Sequence, residues 1–92
     1  MSALEIILGS VPNPDFGQRR GGPQDIAAHS VRVADLREAR ETALAFLREH
    51  DLGGGNWGPR FGKIMRASDG LHVARMSYNG RLWALDGTEV TP

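Results

Sequence analysis

The sequence predicts a single α+β domain in which one helix packs on one face of a mainly antiparallel sheet of four or five strands, in the order ββαβββ. Three observations lead to this fold class. Short apolar runs typical of strands occur in both halves of the chain, one amphipathic stretch lies between them, and two hairpin dipeptides occur in the last third. The chain of 92 residues is long enough for one domain but not for two, so residues 1–92 are assigned to one domain.

The first strand is predicted at residues 4–8, where Leu and Ile dominate the run LEIIL. This run is short and carries Glu5, so neither a signal peptide nor a membrane partner is expected. A long loop is predicted at residues 10–24, which hold three prolines and three glycines. A second strand follows at residues 26–33, and its odd-numbered residues are expected to share one face.

The helix is predicted to begin after Asp35, whose side chain can accept a hydrogen bond from an early helical N–H. Glu38 stands three residues further on, where a capping box needs it. Apolar residues then recur at steps of three and four up to Leu47, while charged residues fall between them, as in an amphipathic helix. The segment DLGGG at residues 51–55 is expected to end the helix near His50, because glycine adopts a left-handed backbone without steric cost.

The last third of the chain is predicted to form strands at residues 61–67, 71–78 and 81–85, joined by tight turns at residues 69–70 and 79–80. If each turn has two residues, the strand register follows from it. The face toward the helix would then carry Met65, Ala74, Met76, Trp83 and Leu85. The opposite face would carry Ile64, Arg66, Val73, Arg75, Ser77 and Leu82.

Reversal of the chain at each connection would bring three loops to one end of this fold. These are the loop at residues 10–24, the glycine-rich segment at residues 51–60 and the turn at residues 79–80. Loops held on a rigid scaffold are where binding residues concentrate. The candidate binding residues at this end are Arg19, Arg20, Trp57, Arg60, Tyr78 and Arg81.

Local charge favours an acidic partner, although 11 Lys and Arg residues balance 11 Asp and Glu residues over the whole chain. Residues 53–85 carry five basic residues and one acidic residue, which gives a net charge of +4. Residues 1–52 and the tail at residues 86–92, which is expected to be a frayed end, together carry the compensating charge. A positive region attracts an anionic partner within a Debye length of about 8 to 10 Å, even on a neutral protein.

These features predict a non-enzymatic binding module that docks a protein partner through the candidate residues. Trp57 has two interpretations, an exposed anchor for the partner or a lid over the end of the core. Arg19 and Arg20 either flank an anion-binding nest of backbone amides within GQRRGG or lie in a solvated loop. The alternative function is RNA or DNA binding, with arginines on phosphates and Trp57 or Tyr78 stacked on a base. Between Tyr78 and Arg81, the register predicts a cross-strand cation–π contact.

The sequence gives little support for catalysis, cofactors or metals. It contains no nucleophile elbow, no phosphate-binding glycine motif and no pair of carboxylates among the candidate residues, so neither enzymatic activity nor a cofactor is expected. His29, His50 and His72 do not form a zinc-binding motif, so no metal is expected. The chain has no cysteine, which fits a cytoplasmic location. Because so short a chain builds only a small core, a homodimer remains an open alternative.

Overall fold

A computed structural model describes residues 3–58 and 60–92 and shows one helix packed against one six-stranded antiparallel sheet. The elements are β1 (Leu4–Ser10), β2 (Ile26–Val33), α1 (Leu36–Glu49), β3 (Lys63–Arg66), β4 (His72–Met76), β5 (Leu82–Ala84) and β6 (Glu89–Val90). Their order across the sheet is β2-β1-β3-β4-β5-β6. The predicted α+β class is therefore confirmed. The predicted element order holds through β5, and the tail expected to fray instead forms β6 by pairing with β5.

Helix α1 begins where the capping residue predicts. Asp35 Oδ1 accepts a hydrogen bond from the N–H of Glu38 at 2.9 Å, and the buried face of the helix packs on β1 and β2. A glycine was expected at the left-handed position after the helix. This prediction is wrong, because Asp51 occupies that position with φ of 52°. The chain turns at Asp51 because the N–H of the next residue, Leu52, donates a hydrogen bond to the carbonyl of Leu47 at 2.9 Å. Both leucines are buried, so the chain reverses before it reaches the glycines.

The core lies between α1 and one face of the sheet. Strands β1 to β5 supply the buried apolar sheet residues Ile6, Leu8, Val33, Ile64, Ala74, Met76 and Leu82. The helix supplies Ala39, Ala43, Phe46 and Leu47. The segment between α1 and β3 contributes three further buried apolar side chains, Leu52, Trp57 and Phe61. This connection is therefore part of the core and not only a loop over it.

The pairing register of β3, β4 and β5 is shifted by one residue from the predicted register. Met76 pairs with Leu82, and Arg75 pairs with Trp83, so Trp83 and Met76 lie on opposite faces. The cause is the hairpin loop, in which the N–H of Ser77 donates to the carbonyl of Arg81 at 2.9 Å. Tyr78, Asn79 and Gly80 thus form a three-residue loop, and Gly80 takes the left-handed position with φ of 86°.

The hairpin between β3 and β4 also has a longer loop than the predicted two-residue turn. The N–H of Arg66 donates to the carbonyl of Leu71 at 2.8 Å, so four residues form its loop. Ile64 consequently pairs with Ala74 on the core side. Two assignments made from the two-residue turns are therefore wrong. Met65, Trp83 and Leu85 do not face the helix, and Ile64 and Leu82 are buried instead of lying on the opposite face.

Candidate protein-binding site

A buried amide holds the loop after β1 against the glycine-rich segment. Asn56 is 2% exposed, and its Nδ2 donates to the backbone carbonyl of Val11 at 2.7 Å and to Oε1 of Gln18. Its Oδ1 accepts from the N–H of Gly53 at 2.9 Å, and its carbonyl accepts from the N–H of Val11 at 3.0 Å. Asn56 is not among the residues that the sequence predicted for the site. The available signal was a single amide side chain within GGGNWG, where a loop without regular structure needs hydrogen-bonding partners.

The hairpin between β4 and β5 joins the same end of the molecule through Tyr78. The ring of Tyr78 lies 3.5 Å from the position that a side chain on Gly54 would occupy. Its hydroxyl donates to the carbonyl of Leu52 at 3.4 Å, and the residue is 44% exposed. Gly80 of the same hairpin packs against Leu44 of α1. The hairpin is therefore fixed on both the glycine-rich segment and the helix.

A groove of about 450 Å³ opens between the C-terminal half of α1 and this hairpin. Its lining residues are Leu44, Leu47, Arg48, Asp51, Leu52, Tyr78 and Asn79. The three leucines are buried or half-buried and form the apolar part of the lining. The other four residues are exposed and offer a cation, an anion, an amide and a phenol. We call this feature the Tyr78 groove.

Arg19 and Arg20 are both exposed, but the backbone between them and β2 does not form an open anion nest. The N–H of Gly21 donates to a carboxylate oxygen of Asp25 at 2.8 Å. The N–H of Gly22 donates to the carbonyl of Arg19 at 2.9 Å. These two amides therefore have partners within the turn and do not support the nest interpretation, and both arginines are exposed on this turn.

Trp57 is a lid on the core and not an exposed anchor. It is 6% exposed, and its Nε1 donates to the carbonyl of Met76 at 3.1 Å. Its ring lies against Phe61, with 5.9 Å between the ring centroids. The expectation that a partner contacts this indole is therefore wrong, because the glycine-rich segment carries Trp57 inward. Arg60 is exposed, and its guanidinium lies 5.5 Å from the centre of the Phe61 ring.

Arg81 is exposed at the end of the three-residue loop. The backbone N–H of Arg81 donates to Oδ1 of Asn79 at 3.2 Å. The longer loop removes the predicted cross-strand pairing of Tyr78 with Arg81. In the part of the chain that the structure describes, the cation–π contact is the one between Arg60 and Phe61. Five of the six candidate residues are thus exposed, and of these Tyr78 alone lines the groove.

The perturbed titrating groups lie in turns at the opposite end of the sheet. Hydrogen bonds from Arg66 and from the N–H of Leu71 lower the pKa of Asp69 to about 2. Hydrogen bonds from Thr88 lower the pKa of Asp86. Each of these carboxylates stabilises its own turn. None of them lines the Tyr78 groove.

Comparisons with protein-family models, with curated proteins and with solved structures find no match. Residues 3–58 and 60–92 contain no cluster of three or more side chains suited to hold a metal ion. Within the same residues, no helix is both long and apolar enough to cross a membrane.

Proposed function

We propose that this chain is a non-enzymatic binding module that docks a segment of a protein partner in the Tyr78 groove. The observation that carries the proposal is an open groove of about 450 Å³ between α1 and the β4–β5 hairpin, lined by three leucines and four polar or charged side chains. In binding clefts, apolar walls supply affinity and polar groups fix orientation. A cytoplasmic location and the lack of enzymatic activity remain predictions.

Tyr78 is the side chain best suited to anchor a partner. Tyrosine is enriched among residues that dominate binding energies, because it buries a large rigid ring and keeps a polar end. Its ring rests on Gly54, and its hydroxyl is held by the carbonyl of Leu52. Because the ring of Tyr78 is already held in place, this side chain loses little conformational entropy when a partner packs on it.

Charge around the groove favours an acidic segment. Within the lining, the charges of Arg48 and Asp51 offset each other, so the positive charge comes from Arg81, which lies on the same hairpin as Tyr78. Arg19 and Arg20 are exposed on the connecting segment that meets the glycine-rich segment at this end. Cations at the rim of an interface mainly increase the association rate and the specificity. We therefore infer a partner segment with an apolar residue for the groove and acidic residues beside it.

The test is capture of binding proteins from a native lysate, followed by affinity measurement with each purified candidate. Tyr78→Ala should weaken binding about 30-fold or more, which corresponds to the loss of a dominant contact. The matched control is Leu71→Ala, which removes a similarly exposed apolar side chain from the turn at the opposite end. Equal affinities for the wild-type chain and Tyr78→Ala would overturn the proposal. Trp57→Ala is unsuitable as a probe, because Trp57 is part of the core.

A second candidate function, nucleic-acid binding, is favoured by a different surface. On the sheet face opposite α1, Lys63 pairs with Arg75, and Arg75 pairs with Trp83. A row of two cations and an indole on a sheet face is a known arrangement for stacking bases and contacting phosphates. Trp83→Ala should then weaken binding to single-stranded RNA or DNA, and Tyr78→Ala should not. This affinity should fall steeply with salt, and failure to bind any nucleic acid at low salt would exclude the candidate.

A further inference from the structure

The outer side of β2 is a free sheet edge in the described part of the chain. The strand has eight residues, Ile26–Val33, against two in β6 at the other edge. Exposed edges are usually protected by proline, by several charges or by a bulge. Strand β2 contains neither proline nor glycine, and its one charged residue is Arg32, whose guanidinium lies 3.9 Å from the carboxylate of Glu5. Its bulge is confined to residues 27 and 28, so residues 29–33 remain a regular edge.

The hydrogen bonds of β1 show which residues of β2 face this free edge. The carbonyl of Ile7 accepts from the N–H of Gly62 at 2.8 Å, so the backbone of Ile7 points toward the β3 side. Because backbone direction alternates in an antiparallel pair, the neighbouring residues of β1 point toward β2. Those neighbours, Leu4, Ile6 and Leu8, pair with Val33, Val31 and His29. The alternate residues Ser30 and Arg32 therefore direct their N–H and C=O groups outward, whereas a bulge at residues 27 and 28 interrupts the alternation.

The edge is accessible and its side chains are small. Residues 27–30 are all exposed, so α1 does not cover this part of the strand. Ala27, Ala28 and Ser30 allow another backbone to approach closely. The chain also exposes 5706 Å² of surface. A compact monomer of about 10 kDa exposes about 5,200 Å².

We propose that two copies of this chain form a symmetric dimer by antiparallel pairing of β2 with β2. A two-fold axis through Ser30 would pair Ser30 with the partner's Ser30, and Ala28 with the partner's Arg32. This register uses both outward-facing residues of each copy, Ser30 and Arg32. It also sets each guanidinium opposite a small side chain, whereas an axis through Arg32 would set two guanidiniums opposite each other.

A second copy is the occupant that this edge fits, because an antiparallel edge is complementary to itself about a two-fold axis. The pairing satisfies the outward N–H and C=O groups reciprocally, and it adds buried surface to a chain too short to bury much alone. The sheet then continues from one protomer into the other. The Tyr78 groove lies toward the β4–β5 hairpin, so each protomer keeps its own groove, and this inference stands without the proposed function.

One test uses the absence of cysteine from the chain. Ser30→Cys introduces a single thiol that lies opposite its own symmetry mate. Residues in a hydrogen-bonded antiparallel pair have Cα atoms about 5.5 Å apart, within the range that a disulfide spans. Under mild oxidation at micromolar concentration, Ser30→Cys should form a covalent dimer at least tenfold faster than the control Ser68→Cys, whose thiol lies in the exposed turn before β4. Equal rates for the two variants would overturn the proposal.

A second test uses charge at the same position. The wild-type chain should show concentration-dependent dimerisation in sedimentation equilibrium. Ser30→Lys and Ser30→Glu should each weaken self-association at least tenfold, because like charges would then face each other, and an equimolar mixture should restore the dimer. Circular dichroism checks that both variants fold. A wild-type chain that stays monomeric at all concentrations, or a dimer that neither variant weakens, would contradict the pairing of β2 with β2.

Discussion

The side-chain amide of Asn56 donates a hydrogen bond to the backbone carbonyl of Val11, and so one buried residue links two segments that are 45 positions apart. Val11 returns the contact through its own N–H, which donates to the carbonyl of Asn56. Neither segment contains a strand or an α-helix at this point. The position of the segments that bring the candidate residues to one end therefore depends on side-chain hydrogen bonds more than on regular structure.

Asn56→Ala is expected to destabilise the fold by about 2 to 3 kcal/mol, because it removes the donor to the Val11 carbonyl and the acceptor of the Gly53 N–H in a part-buried place. Urea unfolding followed by circular dichroism measures this loss. The control Asn79→Ala removes an exposed amide and should cost less than about 1 kcal/mol. Similar losses for the two variants would show that Asn56 does not hold the loops together.

The two tryptophans are expected to differ in their contribution to stability. Trp57→Phe should cost about 2 to 4 kcal/mol, because it leaves the Met76 carbonyl unpaired and creates a space beside Phe61. Trp83→Phe should cost about 1 kcal/mol or less, since Trp83 is half-buried and its Nε1 donates to the hydroxyl of Ser77, which is itself half-buried. Paired unfolding curves check the order. A larger loss for Trp83→Phe would support the two-residue turn that the structure replaces.

Gly62 and Gly70 both have positive φ, 85° and 73°, but only Gly62 is in a crowded place. A side chain on Gly62 would contact the backbone carbonyl of Met76 and would lie 2.9 Å from Cζ2 of Trp57. Gly62→Ala should therefore cost about 3 kcal/mol or more. Gly70→Ala has nothing within 4 Å and should cost about 1 kcal/mol, the strain of the left-handed backbone alone. Equal shifts in thermal midpoint would contradict the close packing at Gly62.

The sequence was sufficient to predict the elements that local physics determines. The capping side chain of Asp35 and the apolar spacing define α1, and the alternation in residues 26–33 defines β2 with the bounds that the structure shows. The register of the later strands was not predictable in the same way. An Asn-Gly pair suits either a two-residue turn or a three-residue loop ending in a left-handed glycine, and one extra residue exchanges the faces of Leu82 and Trp83.

The candidate site could be predicted only in part from the sequence, because part of it depends on contacts between segments that are distant in the chain. Arginines are exposed in most proteins, so placing Arg19, Arg60 and Arg81 at the surface needs little information. Whether Trp57 points outward or inward depends on its distance from Met76 in space, which no local pattern encodes. The Tyr78 groove combines residues 44–52 with residues 78–79, so it exists only after the hairpin packs on the helix.

Stability in acid should depend on the turn that precedes β4. The pKa of Asp69 is lowered from 3.8 to about 2 in the folded chain, chiefly by its hydrogen bond with Arg66. Because the folded-state pKa is below the unfolded-state value, the carboxylate stabilises the fold fully above pH 3.8, and this contribution is lost as the pH falls toward 2. Asp69→Asn should lower the thermal midpoint at pH 7 and should reduce its fall between pH 5 and pH 2. The control Asp15→Asn removes an exposed carboxylate elsewhere, and an equal change in this control would show that the effect is not specific to the ion pair of Asp69 with Arg66. An NMR titration of the Asp69 carboxyl that gives an ordinary pKa would contradict the stabilising ion pair.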